Sequence, residues 1–311
     1  MTKDTIPRIV GIGELLWDIL PAGPRLGGAP ANFTVMCAHL GNRGVLLSSV
    51  GQDDYGKRAR GLLAQPELDL QQLQLDRDHS TGTVEVTFSL DKQPHYTIAR
   101  NVAWDFIRIT SGLVAEARAA AAVCFGTLGQ RTEVSRGAIR ALIEAAPRDC
   151  VRVCDINIRM PDCSAEALYW SMAHATIIKV SEEELPQAFS FLAELGLTAD
   201  KTPLTAENAG QALLAFFPGC QVVATTLGAA GSLVASRENA CRHPGFPIKV
   251  VDTVGAGDAF TAGLLHAYLR GASLAQMAEA GNLCGSYVAS QAEATPPLPA
   301  ELIQKISALR A

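Results

Sequence analysis

Hydrophobic residues along the chain come in two kinds of run. Short runs rich in β-branched residues, at 8–13, 45–50, 122–125, 151–156, 176–180 and 222–226, are bounded by Gly or Asp and lack polar alternation. A strand covered on both faces reads this way, because its alternate side chains all meet nonpolar layers. Between them, 31–40, 55–63, 133–145, 164–174 and 206–217 place apolar residues at helical spacing. This alternation predicts an α/β fold with a doubly wound, mostly parallel sheet flanked by helices.

Two segments break the alternation. Residues 15–26 are one; residues 80–105 are the other, where TGTVEVTFSL and HYTIA show strand periodicity around the turn Asp91-Lys92-Gln93-Pro94. A hairpin with no helix to cover it pairs with another strand, so 15–26 and 80–105 are expected to form a small β-sheet lid. No repeat or low-complexity linker divides the chain, and 1–311 reads as a single domain with the lid as an insertion. The edges of such a sheet make pairing of two lids into a homodimer the expected assembly. In the last third, 254–269 and 274–290 are strongly helical, and a proline-rich stretch at 295–299 precedes a last short helix.

Composition narrows the function classes. With 311 residues, 48% hydrophobic and 18% charged, the chain has ample material for a core. A net charge of -5 gives no basic field, which argues against nucleic acid or an anionic membrane as partner. MTKDTIPRIV lacks the features of an export signal, and the longest apolar stretches, 119–125 and 221–235, are too short or too interrupted by Gly to span a bilayer, so a cytoplasmic location is expected. None of the eight cysteines forms a C-x-x-C pair, which favours buried thiols over a zinc or redox site.

Two glycine-rich turns carry candidate chemistry. Asp252-Thr253-Val254-Gly255-Ala256-Gly257-Asp258 follows a strand-like run and opens a helix, so backbone amides there can close around an anion while Asp258 points a carboxylate at it. The plainer alternative is a tight turn in which Asp258 favours the helix dipole. Gly27-Gly28-Ala29-Pro30-Ala31-Asn32 opens another helix and offers an amide side chain that can read hydroxyls, or is simply a turn before a helix that starts at proline. Near misses fall away. Gly51 to Arg58 fits G-x-x-x-x-G-K but ends in arginine, without the hydroxyl a Walker A loop needs, and Gly11-Ile12-Gly13 meets Leu16 where a dinucleotide fingerprint needs its third glycine.

Taken together, in this order and separation, the two turns resemble the G-G-x-P-x-N and D-T-x-G-A-G-D signatures of the ribokinase-like, or PfkB, sugar kinase family. The resemblance covers nearly the whole chain. It implies Asp258 as catalytic base, with Gly255 shaping the turn and the amides of Ala256, Gly257 and Asp258 as anion hole. The helix N-terminus is expected to depress the Asp258 pKa, which a loose phosphoryl-transfer transition state tolerates. Asp18, Gly28 and Asn32 match sugar-contacting positions. Thr225 to Ser232 looks like the T-x-G-x-x-G nucleotide loop, setting Thr226, Gly228 and Gly231 along ATP together with the helix that carries Asn282; a β-hairpin turn is the other reading of this loop.

Gly13 to Asp18, Phe125 to Arg131 and Asp155-Ile156-Asn157-Ile158-Arg159 look like the fructokinase versions, with Asn157 and Arg159 facing nucleotide phosphates or substrate. Trp104 closes the hairpin near the sugar pocket, where it either stacks on sugar or belongs to the core. Fructose is therefore the first substrate, giving fructose 6-phosphate, followed by 2-keto-3-deoxygluconate, ribose or another sugar, and then a nucleoside; a silent sugar-binding relative is the alternative from another class. Two departures stand out. The family's N-x-x-E motif, which serves Mg2+, reads Ser181-Glu182-Glu183-Glu184, leaving Glu184 and Asp252 as metal candidates with Ser181 free to hold a water. Glu293 stands where relatives commonly have glycine in a loop that serves K+, which argues against a K+ requirement although Asp252 is present.

Overall fold

The six apolar runs meet in one sheet in the computed structural model, which describes residues 6–64, 68–88, 94–197 and 203–310. Among these residues the sheet has nine strands, in the order Ala240–His243, Ser232–Ala235, Val222–Thr226, Ile177–Ser181, Val151–Asp155, Ala122–Phe125, Arg8–Ile12, Arg43–Leu47 and Leu68–Asp69. The first three are joined by antiparallel pairings and the rest are parallel. Consecutive residues of a strand serve opposite faces. Val123 and Phe125 pack under the helices Ser111–Arg118, Glu133–Ala145, Ala165–Ala173, Leu185–Glu194 and Ala206–Phe216. Ala122 and Cys124 face the layer of Ala29–His39, Ala256–Tyr268, Leu274–Ala289 and Ala300–Ser307. Truncating one fully buried side chain of the first layer, such as Leu142, would cost about 2–5 kcal/mol. All eight cysteines are free; Cys241 is partly exposed and the other seven are buried in these layers.

The expected strand at 45–50 is divided. Ser48 donates its hydroxyl to the Gly13 carbonyl at 2.6 Å and bends the chain, so Arg43–Leu47 stays in the main sheet and Ser49–Gly51 pairs with Gln74–Asp76. The strands Ser232–Ala235 and Ala240–His243, absent from the sequence reading, form the antiparallel edge.

A separate small sheet runs Gly23–Gly27, Leu16–Leu20, Gly82–Phe88, Pro94–Ile98. Its two hairpins are joined by a parallel pairing of Leu16–Leu20 with Gly82–Phe88. Of the expected turn between the last two strands, 91–93 lie outside the described residues. Where this sheet rejoins the main body, Arg131 lies 4.0 Å over the Trp104 ring and donates to both carboxylate oxygens of Asp105 at 2.7 Å. It also donates to Asp162 and to the Ala99 carbonyl. This arginine is 5% exposed and Asp105 fully buried, so the cluster is a fixed anchor whose charges answer one another.

Candidate active site

The parallel strands Arg8–Ile12, Ala122–Phe125, Val151–Asp155, Ile177–Ser181 and Val222–Thr226 all end at one edge of the sheet. Gly13, Gly126, Asn157, Glu184 and Gly228 follow these ends, where open α/β sheets bind ligands. Two helices begin above this edge. Ala29–His39 starts from Gly28 at φ 109°, and Ala256–Tyr268 from Gly255 at φ 80°; neither start is capped by a side chain among the described residues. Glycine is required at both. A Cβ at Gly28 would stand 2.5 Å from the Glu14 carbonyl oxygen, and one at Gly255 would stand 2.3 Å from that of Ala294, in backbone that L side chains rarely adopt. The first turns meet: the Asn32 Nδ2 donates to the Asp258 Oδ2 at 2.8 Å.

Acids crowd this meeting point. Burial, with Asp155 adding to it, pushes the Asp258 carboxyl up to about 6 against the opposing effects of Asn32, Lys179 and Arg159. The expected depression by the helix terminus is therefore overturned: desolvation outweighs the dipole. Burial likewise raises Asp18 to about 6, opposed by Arg159 and assisted by Asp252. Glu14, only 2% exposed, is pushed up to about 7, again mainly by burial, with the Asp258 charge adding and its own N–H, Arg159 and the Ala29 N–H opposing. Arg159, exposed at the end of the loop after Val151–Asp155, thus opposes the rise of all three acids; the sequence pointed to it only through its resemblance to the fructokinase D-x-N-x-R run.

The small sheet reaches the second turn directly. Asp18 lies opposite Arg25 across its first hairpin, and Arg25 donates to the Asp252 Oδ2 at 2.6 Å while Asp252 accepts the Val254 N–H at 3.0 Å. Glu184, the other metal candidate, is also engaged. It accepts the Ile158 N–H at 2.8 Å, the Ser181 N–H at 2.7 Å and the Ser181 hydroxyl at 2.8 Å. Ser181 thus bonds Glu184 where a water was expected. Among the described residues no three acidic, His or Cys side chains form a metal cage.

Thr226, Gly228 and Gly231, expected along a nucleotide, lie at the same edge. Thr226 ends its strand opposite Ser181, Gly228 adopts φ 56° with open space on its Cβ side, and Gly231 at φ 87° admits the His243 carbonyl 2.0 Å from where a Cβ would be. The loop is also the hairpin turn that the sequence allowed, between Val222–Thr226 and Ser232–Ala235. Asn282 is buried and donates to the Ser232 hydroxyl and the Ala278 carbonyl, both at 2.7 Å, so its amide braces the strand after the loop. Asn157 stands at φ 40° in the loop that Glu184 holds through Ile158. Trp104 is a correction: it is fully buried beneath Arg131, and its ring has no open face for a sugar.

The sequence reading also passed over Lys179. Its Nζ donates to the Asp155 Oδ1 at 3.1 Å and stands 3.2 Å from where a Cβ on Gly257 would be. A lysine inside the apolar run Ile177–Ser181 was the available signal, since a charge in a doubly covered strand needs a partner.

Residues 23–301 match the model of the pfkB family of carbohydrate kinases. The chain belongs to this family. Its curated relatives include a probable fructokinase-3 from Arabidopsis thaliana, 29% identical with 94% of this chain and 89% of the relative covered. A fructokinase-2 from Zea mays is 28% identical, with 94% and 91% covered. Among solved structures this pfkB-family kinase resembles an uncharacterised sugar kinase from Pyrococcus horikoshii, at 25% identity, TM-score 0.80, and 97% and 98% coverage. It also resembles a fructokinase from Vibrio cholerae solved with fructose, ADP and a calcium ion, at 25% identity, TM-score 0.77, and 97% and 99% coverage. The nine-stranded sheet with its small companion sheet is thus a ribokinase-like fold, and the pfkB chain is a carbohydrate kinase.

Proposed function

We propose that this pfkB-family kinase transfers the γ-phosphoryl group of ATP to a hydroxyl of fructose, giving fructose 6-phosphate and ADP. The observation that carries the reading is the contact of Asn32 with Asp258, which joins a turn suited to hydroxyls to a turn suited to an anion. The sugar would lie among Asp18, Gly28, Asn32 and Arg159, under the small sheet acting as a lid. ATP would run along Thr226 to Gly231, past Asn157, with its γ-phosphate at the amides of Ala256, Gly257 and Asp258. Fructose is favoured over other sugars by the relatives being fructokinases and by the Vibrio cholerae fructokinase having been solved with fructose bound.

The chemistry follows from these placements. Asp258, ionised above about pH 6, accepts the hydroxyl proton as the sugar oxygen bonds to the γ-phosphorus and the bond to the β–γ bridging oxygen breaks. Fixed amides at the helix start hold charge that spreads onto the phosphoryl oxygens. Arg25, by bridging to Asp252, would hold the lid against the phosphate turn and exclude water as a rival acceptor. Mg2+ when bound would neutralise phosphate charge; because Glu184 and Asp252 already hold protein groups, the residues suit an ion brought in on the nucleotide and contacted through water. Among the described residues neither edge strand of the lid sheet, Gly23–Gly27 or Pro94–Ile98, pairs with a further strand, which supports a homodimer that a monomeric mass in light scattering would contradict.

A coupled assay of ADP release over a panel of sugars tests the reading. Fructose should give the highest kcat/KM; preference for another sugar would reassign the substrate, and no turnover with any sugar would sink the proposal.

A further inference from the structure

Lys179 has two features that a merely structural lysine does not need. The first is its setting. It stands in the strand Ile177–Ser181 between Ile178 and Val180, both fully buried, with its own side chain 10% exposed. Burial alone would pull its ammonium down, but the carboxylates of Asp155, Glu184 and Asp258 outweigh that and hold it above the usual lysine value. Asp155 is fixed from the other side by Thr261, whose hydroxyl is shared between the Asp155 Oδ2 at 3.2 Å and the Gly257 carbonyl at 2.9 Å. The cation is therefore held rigidly and kept charged.

The second feature is its direction. An ion pair with Asp155 needs no contact with the neighbouring helix, yet the Lys179 Nζ lies 3.2 Å and its Cε 3.9 Å from where a Cβ on Gly257 would stand. Gly257 is in the first turn of Ala256–Tyr268 and, unlike Gly255, does not have a positive φ. Conformation does not call for glycine there, and a Cβ would instead press on the ammonium, which would have to give by a few tenths of an ångström. The helix terminus alone offers only about half a positive charge. Beside Asp155, Glu184 and Asp258 that is little to offer the doubly charged γ-phosphate end of ATP, and a full fixed charge directly behind the turn adds to it.

We propose that Lys179 is a catalytic residue, whose ammonium contacts an equatorial oxygen of the phosphoryl group during transfer, through the gap left by the missing side chain of Gly257. The proposal rests on the phosphoryl-transfer reading above. It gives the turn a second source of positive charge and makes Asp155 a positioning residue that aims it.

Removing the lysine alone would strand a buried Asp155 and confuse folding with catalysis, so the decisive variant removes both charges, Lys179→Met with Asp155→Asn. It should melt near the wild-type temperature and bind fructose with near wild-type affinity, while kcat falls by ~100-fold or more. A purely structural pair predicts the opposite. A folded double variant that loses less than ~5-fold in kcat would overturn the role, while leaving the kinase reading intact because wild type turns over in the same assay. Wild type silent on every sugar would instead sink the kinase reading. Should the double variant not fold, a crystal structure of wild type with ADP, aluminium fluoride and fructose decides the matter. Lys179 Nζ within hydrogen-bond reach of an equatorial fluoride supports the contact; an ammonium still turned to Asp155 and out of reach of the fluoride refutes it.

Discussion

The turns at Gly28 and Gly255 are built alike and surrounded differently. Each opens a helix from a positive-φ glycine pressed against a carbonyl, and each places a polar side chain of its first turn, Asn32 or Asp258, at the shared contact. What differs is the buried charge behind them. Behind the first stands the buried carboxyl of Glu14, whose carbonyl crowds Gly28; behind the second stands Lys179, against Gly257. On the kinase reading proposed above, one backbone device would serve a neutral polyol at the first turn and an anion at the second, according to the side chain packed behind it.

The largest test of that division is Asp258→Asn. Turnover should fall by about 10³-fold or more, with fructose affinity by calorimetry nearly unchanged, because the amide keeps the bond to Asn32 and loses the base. Near wild-type turnover would remove the chemical difference between the turns. Next come the glycines themselves. Gly255→Ala should lower kcat by ~100-fold by deforming the anion site, whereas Gly28→Ala should act mainly on fructose KM. The reverse pattern would exchange their roles.

A smaller effect is the pH profile. Protonated Asp258 cannot accept a proton, so kcat should fall as pH drops through about 6, and a flat profile down to pH 5 would contradict the assignment. Smallest is the effect of Glu14→Gln on stability. Folding raises this carboxyl from its ordinary 4.5 to about 7, so the folded state binds the extra proton between those values. The stability it contributes is complete below pH 4.5 and is lost as pH rises through 7. Glutamine does not titrate, so the variant should melt above wild type by roughly 2–4 °C at pH 8, with the gap closing on acidification.

The doubly covered strands were legible because their runs contain no polar alternation, and most helices because their stripes face those strands, although Ser111–Arg118 and Leu185–Glu194 were not anticipated. Short pieces such as Leu68–Asp69 and Gln74–Asp76 escaped notice, since two or three residues carry no period. The candidate site was legible where the backbone makes a demand that only glycine meets, as at Gly28 and Gly255, or where two motifs pair, as with Asn32 and Asp258. It was illegible where the outcome depends on competition in three dimensions. Nothing local to Trp104 says that Arg131 covers it, and nothing near Asp258 says that Asp155 and burial outweigh the helix dipole. Ser181 and Glu184 look like a metal site in one dimension and prove to be bonded to each other.

The cysteines turn the two nonpolar layers into a record of how the molecule comes apart. Cys150, Cys154, Cys163 and Cys220 lie in one layer, and Cys37, Cys124 and Cys284 in the other. Burial pushes the Cys150 thiol up to about 11 and that of Cys284 up to about 12, so both are shielded and poorly ionised while the layers stay closed. An alkylating pulse should mark Cys241 at once and the remainder only as a face opens. The order in which the two sets acquire label then tells which side of the sheet is shed first.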